Sequence, residues 1–256
     1  MPAAAMGAAR VVALMRAGAA DAGVVRAGAE ALIELTGGRD GMKADRAAVL
    51  RGLGIDIDAR CNECIDAAPL LVSALKAGGA DAASVFCAVL RNVATSDAGR
   101  AACVAAGAPT AVVAALTTHA GVAAVCEWGC TALVSIAYAS DAGKVACVAA
   151  RAPSAVVAAL TIHAGVAAVC EKGCWALAGI AHSDAGSAAC VAAGAPAAVV
   201  AALTTHAGVA AVCEQGCWAL KNSACASDAG KAACVAARAP AAVVAALTTH
   251  AGVAAV

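Results

Sequence analysis

Residues 183–226 read SDAGSAACVAAGAPAAVVAALTTHAGVAAVCEQGCWALKNSACA, and they carry the signals of three helices in a fixed order. Ser183 and Asp184 open the first, since their side-chain oxygens can accept from the free N–H groups of an initial turn. This short helix runs towards Gly194. Ala195-Pro196 then breaks the chain and starts a second helix, because proline in a first turn forfeits no hydrogen bond. Ala207-Gly208 turns the chain once more, into a third helix through Lys221. Near-copies of the whole stretch fill Ser96–Ala139 and Ser140–His182, and a shortened copy fills Ser227–Val256. The copies begin at Ser96, Ser140, Ser183 and Ser227, a period of 43 or 44 residues. Helix triplets at that period predict an all-α solenoid in which each unit buries its apolar face against its neighbours.

Upstream the copies degenerate. Val11-Val12-Ala13-Leu14 echoes Val199–Leu203, and Val24–Leu32 echoes the third helix, so Arg10–Thr36 reads as the second and third helices of a unit. Gly37–Ile55 fits no repeat position, although Asp45–Leu53 has helical spacing, and is expected to be an insertion. A second degenerate unit follows, with Cys64 and Pro69 standing where Cys190 and Pro196 stand later, and a third helix through Phe86–Asn92. The expected division is 1–95, degenerate units with an irregular insertion near 37–60, and 96–256, close units at 96–139, 140–182, 183–226 and a truncated 227–256. Ser96–Val125 and Ser227–Val256 differ only at Arg100/Lys231, Gly107/Arg238 and Thr110/Ala241, a closeness that recent duplication alone can produce. The last copy stops early in its third helix without the polar cap that terminal solenoid units need. The chain is therefore expected to be a fragment of a longer array.

Composition agrees with close helix packing. The hydrophobic fraction is 63%, mostly alanine and then valine, and aromatics are 2%. Alanine favours helix but buries little surface, so helices must approach closely to make a core. Lys+Arg and Asp+Glu balance at 17 each, with no basic stripe, which argues against a nucleic-acid partner. Of the 14 cysteines, Cys103, Cys147, Cys190 and Cys234 share one repeat position. Stacked helices lie roughly 8–10 Å apart, too far for a disulfide. These cysteines are expected to be small buried hydrophobes in a reducing compartment, the cytoplasm, with the nucleus also open. Residues 185–213 carry no formal charge, but proline and glycine cut the run, and Arg151 and Arg238 replace Gly194 in neighbouring copies, so no membrane span is expected. The acid-poor start MPAAAMGAARVVALMR is compatible with a transit peptide, but reads better as part of a repeat.

On a helical wheel, Val209, Val212, Cys213, Gly216, Leu220 and Ser223 form a core stripe, opposed by Glu214, Gln215, Trp218, Lys221 and Asn222. The wheel turns Glu171, Lys172 and Trp175 outward in the preceding copy, and Glu127 and Trp128 in the one before. Such tryptophans either fold back over a gap between helices or stand as anchors for a partner. Val212–Asn222 resembles the third helix of an armadillo repeat, and Gly194-Ala195-Pro196 with Val199–Leu203 resembles that family's junction into its second helix. The resemblance covers Ser96–Val256 well and Arg10–Thr95 loosely. It implies a right-handed superhelix whose third helices line a concave groove. In the family's peptide-binding members a Trp and an Asn one turn apart hold an extended peptide. Here only Trp218/Asn222 carries the pair whole: Trp175 is followed by Gly179, Asn92 is preceded by Ala88, and Thr131/Ser135 and Glu30/Glu34 stand at the other equivalents. The missing ladder points away from nuclear-import-type recognition of basic peptides, and towards a patchy groove for a folded partner or a short segment.

Catalytic and metal chemistry find little support. His119/Cys126/Cys130, His163/Cys170/Cys174 and His206/Cys213/Cys217 repeat a spacing, but seven residues of helix span about 10 Å, far beyond a shared zinc. Cys61-Asn62-Glu63-Cys64 is a lone CxxC without a second pair. The Ser-Asp pairs read as helix caps. No metal, cofactor, catalytic residue or small-molecule substrate is expected. The expected function is a protein-interaction scaffold binding a protein or peptide along the third-helix face. Trp128, Trp175 and Trp218 would be its aromatic residues, Asn222 and Asn92 the bonds to backbone, and Glu171 and Glu214 the charges that bias partner choice. The alternatives are a cysteine-rich metal or redox protein, or a purely structural segment.

Overall fold

The computed structural model describes residues 8–35 and 64–252, so the expected insertion near 37–60, Cys61 of the CxxC pair and the extreme N-terminus lie outside the described residues. Every regular element among them is helical and none is a strand. Helices α1 (Ala8–Ala17) and α2 (Ala22–Leu35) pack on each other as the second and third helices of a unit. A 3-10 turn at Ile65–Ala67 stands where a first helix would, ahead of α3 (Ala68–Ala77) and α4 (Ala80–Val93). The close units follow as α5 (Asp97–Ala105), α6 (Ala108–Thr118) and α7 (Ala123–Ala137), then α8 (Asp141–Ala149), α9 (Ala152–Ile162) and α10 (Ala167–Ile180). After them come α11 (Asp184–Ala192), α12 (Ala195–Thr205) and α13 (Ala210–Cys225), then α14 (Asp228–Ala236) and α15 (Ala239–Thr249). Like stacks on like: first, second and third helices form three ladders, and the third-helix ladder α4–α7–α10–α13 makes the most extensive contacts. The chain is an all-α solenoid.

Each first helix is opened by its serine. The Oγ atoms of Ser96, Ser140, Ser183 and Ser227 accept from the amides of Gly99, Gly143, Gly186 and Gly230 at 3.0–3.2 Å. Those glycines are demanded by packing. A Cβ on Gly186 would lie 1.8 Å from the Ile180 carbonyl oxygen of the preceding third helix, and one on Gly99 equally close to that of Val93. Sequence reasoning identified the cap but not this seam of backbone against backbone.

Between first and second helices the axis bends by 68–73°. Gly107 and Gly194 take the turn at φ 74° and 76°, while Arg151 and Arg238 hold the same left-handed conformation at φ 59° and 61°. Proline occupies the first turn of every second helix from α3 onward, as the junction sequence predicts, and α1 has none. Among the described residues no single helix is long and apolar enough to cross a membrane.

Second and third helices also meet at glycine. A Cβ on Gly129, Gly173 or Gly216 would come within 2.6–2.7 Å of a δ-carbon of Leu116, Leu160 or Leu203. Alanine-rich helices thus gain burial by proximity rather than by bulk. Leu203 is 3% exposed beneath α13. Two details differ from expectation. Helix α13 continues to Cys225 rather than stopping at Lys221, with the Ser223 hydroxyl donating back to the Ala219 carbonyl at 2.8 Å. Val209 lies outside the core stripe, 37% exposed, because it is the extended N-cap residue at φ −104° and ψ 100°.

Gly186→Ala is expected to cost about 1–3 kcal/mol of unfolding free energy, the usual range for overpacking. Gly165→Ala, where a Cβ meets nothing within 4 Å, is the control and should change little. Denaturant titration of the two variants checks the difference.

Candidate groove on the third-helix face

Helix α13 sorts its side chains as its sequence periodicity requires. Val212, Cys213, Gly216, Ala219, Leu220 and Ser223 are buried, whereas Trp218 and Lys221 are exposed and Glu214 and Asn222 half-buried. Trp218 is 54% exposed, and Trp175, one unit earlier in the same register, is half-buried. Lys172 lies 5.6 Å from the Trp175 ring centroid and is paired with Glu171, so that indole carries a cation on its face.

The Asn222 amide has a structural task. Helix α10 ends at Ile180, leaving its last carbonyls without partners inside the helix. The Leu177 carbonyl accepts from the Ala181 amide and, at 3.8 Å, from the Cys190 thiol. The Ala178 carbonyl accepts from Asn222 Nδ2 at 2.9 Å, across the boundary between units. Gly179, at the position matching Asn222, lies close beneath Val134 of α7, since an added Cβ would sit 2.9 Å from its γ-carbon.

These groups surround one cavity of about 310 Å³. Trp175, Ala178 and Gly179 from α10 line it together with Trp218, Lys221 and Asn222 from α13. The remaining wall comes from Val134 and Ala137 of α7, from Tyr138 and Ala139 just past its end, from Lys144 of α8, and from His182. The surface is mostly apolar, with polar atoms at its rim. Lys144 pairs with Asp141 at 2.9 Å. That hydrogen bond and the ammonium charge hold the Asp141 carboxyl below its ordinary range, and His182 adds a smaller pull in the same direction.

The structure gathers Trp175, Trp218 and Asn222 from the residues singled out in sequence, and disperses the others. Trp128 is half-buried against the core, as Trp175 is, but stands in register with Lys172 and Gln215 and does not line the cavity. Glu171 and Glu214 are half-buried one turn before the two indoles, outside the cavity lining. Asn92 is 2% exposed and its Oδ1 accepts from Arg91 at 2.7 Å, so it is not placed to meet a partner at the surface. Sequence reasoning missed Tyr138, Lys144 and His182 as wall residues. The available signal was position: Tyr138 is the chain's one tyrosine and sits directly after a third helix.

The repeated His and Cys residues serve the turns. His163, His206 and His250 place Nε2 at 2.7–2.8 Å from the carbonyl oxygens of Ala120, Ala164 and Ala207 in the preceding unit. The same three carbonyls accept, at 3.6 Å, from the thiols of Cys126, Cys170 and Cys213. Each turn carbonyl thus takes one donor from its own third helix and one from the next unit. Among the described residues no group of three His, Cys, Asp or Glu side chains is placed to hold a metal ion.

No protein-family model matches the sequence, and no curated protein matches it. Solved structures do. An engineered protein superposes at a TM-score of 0.74 with 24% identity, covering 95% of this chain and 90% of that one. A designed armadillo repeat protein in complex with the peptide (KR)4 superposes at 0.70 with 19% identity, covering 95% and 99%. Another designed armadillo repeat protein gives 0.70 and 19%, covering 94% and 98%. The solenoid is of the armadillo type.

The thiols on the first helices behave as buried donors. Cys103, Cys147, Cys190 and Cys234 point at the carbonyls of Leu90, Leu133, Leu177 and Leu220 at 3.7–3.9 Å. None of the described cysteines is in a disulfide. Burial pushes Cys103, Cys147 and Cys190 from 9.0 up to about 12. The folded chain therefore keeps protons that the unfolded chain releases. The stabilisation is complete below about pH 9 and falls as pH rises towards 12, at about 1.4 kcal/mol per pH unit for each such thiol. Cys190→Ala is expected to flatten the dependence of unfolding free energy on pH above about 9 by that one increment. An unchanged slope would show that the thiol ionises as freely folded as unfolded.

Proposed function

We propose that this chain is a non-enzymatic interaction scaffold that holds an extended peptide or a short segment of a partner protein on its third-helix face. The observation that carries this reading is the apolar cavity walled by Trp175 and Trp218, two indoles in register on successive third helices with the Asn222 amide in its lining. The described armadillo relative bound to a peptide supports a repeat scaffold able to take such a ligand. With Nδ2 of Asn222 engaged by Ala178, the Oδ1 atom is the part of that amide left to accept from a peptide N–H. Trp128, Glu171 and Glu214 would flank the bound segment rather than enclose it. Neither a nucleic acid nor a small-molecule substrate is part of this reading, and the reduced, buried cysteines favour the cytoplasm.

Anchoring would be dominated by Trp218. Covering the open half of an indole, on the order of 100 Å², contributes about 2–3 kcal/mol. A random octapeptide library selected on the intact chain should enrich ligands whose dissociation constants rise by about 30–100-fold in Trp218→Ala. They should be unchanged in Val235→Ala, an exposed apolar position on α14 away from this face. Circular dichroism would establish that both variants are folded. Ligands that bind Trp175→Ala/Trp218→Ala as tightly as the unaltered chain would place the site elsewhere.

A further inference from the structure

The charged groups around the cavity have one sign. The ammonium groups of Lys144 and Lys221 line it beside the His182 imidazole, and no carboxylate does. The carboxylate beside it, Asp141, is already paired with Lys144 and its side chain is 96% exposed, outside the lining. Lys221 is exposed and has no ion pair among the described residues. The helix end that faces the cavity would ordinarily contribute partial negative charge through its open carbonyls. Here two of the last four oxygens of α10 are covered: Leu177 by an amide and a thiol, Ala178 by Asn222. The Lys221 ammonium, which among the described residues has no carboxylate partner, therefore biases the field over a lining of indole and small aliphatic side chains.

From this complementarity we infer that the pocket between Trp175 and Trp218 takes a carboxylate side chain, glutamate or aspartate, of an extended acidic peptide. The stem of that side chain lies between the indoles and its oxygens reach Lys221, with His182 and Lys144 on the far wall. A lysine or arginine in the same place would bring a further cation beside Lys144 and Lys221, with no carboxylate in the lining to receive it. This inference rests on the third-helix face being the binding face, and it specifies what that face selects. It also separates this chain from the armadillo protein seen with (KR)4, a fully basic peptide.

Three acetylated and amidated octapeptides, (ET)4, (QT)4 and (KT)4, share a backbone and differ in charge, and their affinities for the intact chain can be measured by calorimetry and tryptophan fluorescence at low salt. The expected order is (ET)4 tightest, at least about tenfold over (QT)4, with (KT)4 weakest, and the preference shrinking as salt screens it. Lys221→Gln, a change at an exposed position, should reduce the (ET)4 to (QT)4 ratio to about threefold or less. The same titrations on Trp175→Ala/Trp218→Ala separate the two levels of the argument. Binding that depends on the indoles but favours (KT)4, or shows no charge preference, overturns the carboxylate assignment and leaves the groove standing. So does a tenfold preference that Lys221→Gln leaves intact. An acidic preference that survives loss of both indoles overturns both, as does failure of all three peptides to bind at about 1 mM.

Discussion

The seam where each first helix starts against the end of the preceding third helix is the contact on which the rest depends. At Gly99, Gly143, Gly186 and Gly230 the room for a methyl group is taken by the carbonyl oxygen of Val93, Ile136, Ile180 or Ser223. Backbone meets backbone there, and the glycine amide is at the same time held by the capping serine. Alanine-rich helices bury little area per residue, so an ångström of separation at this seam would forfeit much of the dispersion and apolar burial available to the unit. First-helix thiols cross the seam to third-helix carbonyls, and away from it turn histidines reach the equivalent turn of the unit before. Stability in such an array resides in the interfaces between neighbours as much as in the units.

The groove inherits its shape from these couplings. Tyr138, Trp175 and Trp218 come from three successive units, and their separations are set by how closely the helices stack. Asn222 both caps α10 and borders the cavity. Its equivalents, Gly179 and Ser135, cannot do the same. Gly179 has no side chain and lies tight against Val134, and the Ser135 hydroxyl donates to the Thr131 carbonyl at 3.0 Å.

Much of this was legible in the sequence because helical signals are local. Serine caps, proline in the second-helix first turn and the 3.6-residue stripe of α13 all lie within one or two turns of what they specify. Trp175, Trp218 and Asn222 were legible for the same reason, as outward positions of one helix type in register. The other wall residues were not. Lys144, His182 and Tyr138 lie on a first helix or at helix ends, and their convergence depends on the rise and bend between units, which no local period encodes. Trp128 shows the converse: outward on a wheel, it is one turn out of register with Trp175 and lies outside the cavity lining. Asn92 likewise shares a register with Asn222 but is buried beside Arg91. The His and Cys spacing was legible as a repeat, yet its meaning, two donors on one turn carbonyl, needed the neighbouring unit in place.

Hydrogen exchange of the intact chain, read peptide by peptide by mass spectrometry, tests the coupling between units most directly. If the seams bind the units into one cooperative body, amides in α7, α10 and α13 should exchange with a common free energy, that of global unfolding measured by denaturant. If α13 opens several kcal/mol more easily than α10 while α10 stays protected, the units are independent, and the coupling assigned to glycine closeness and shared carbonyls is contradicted.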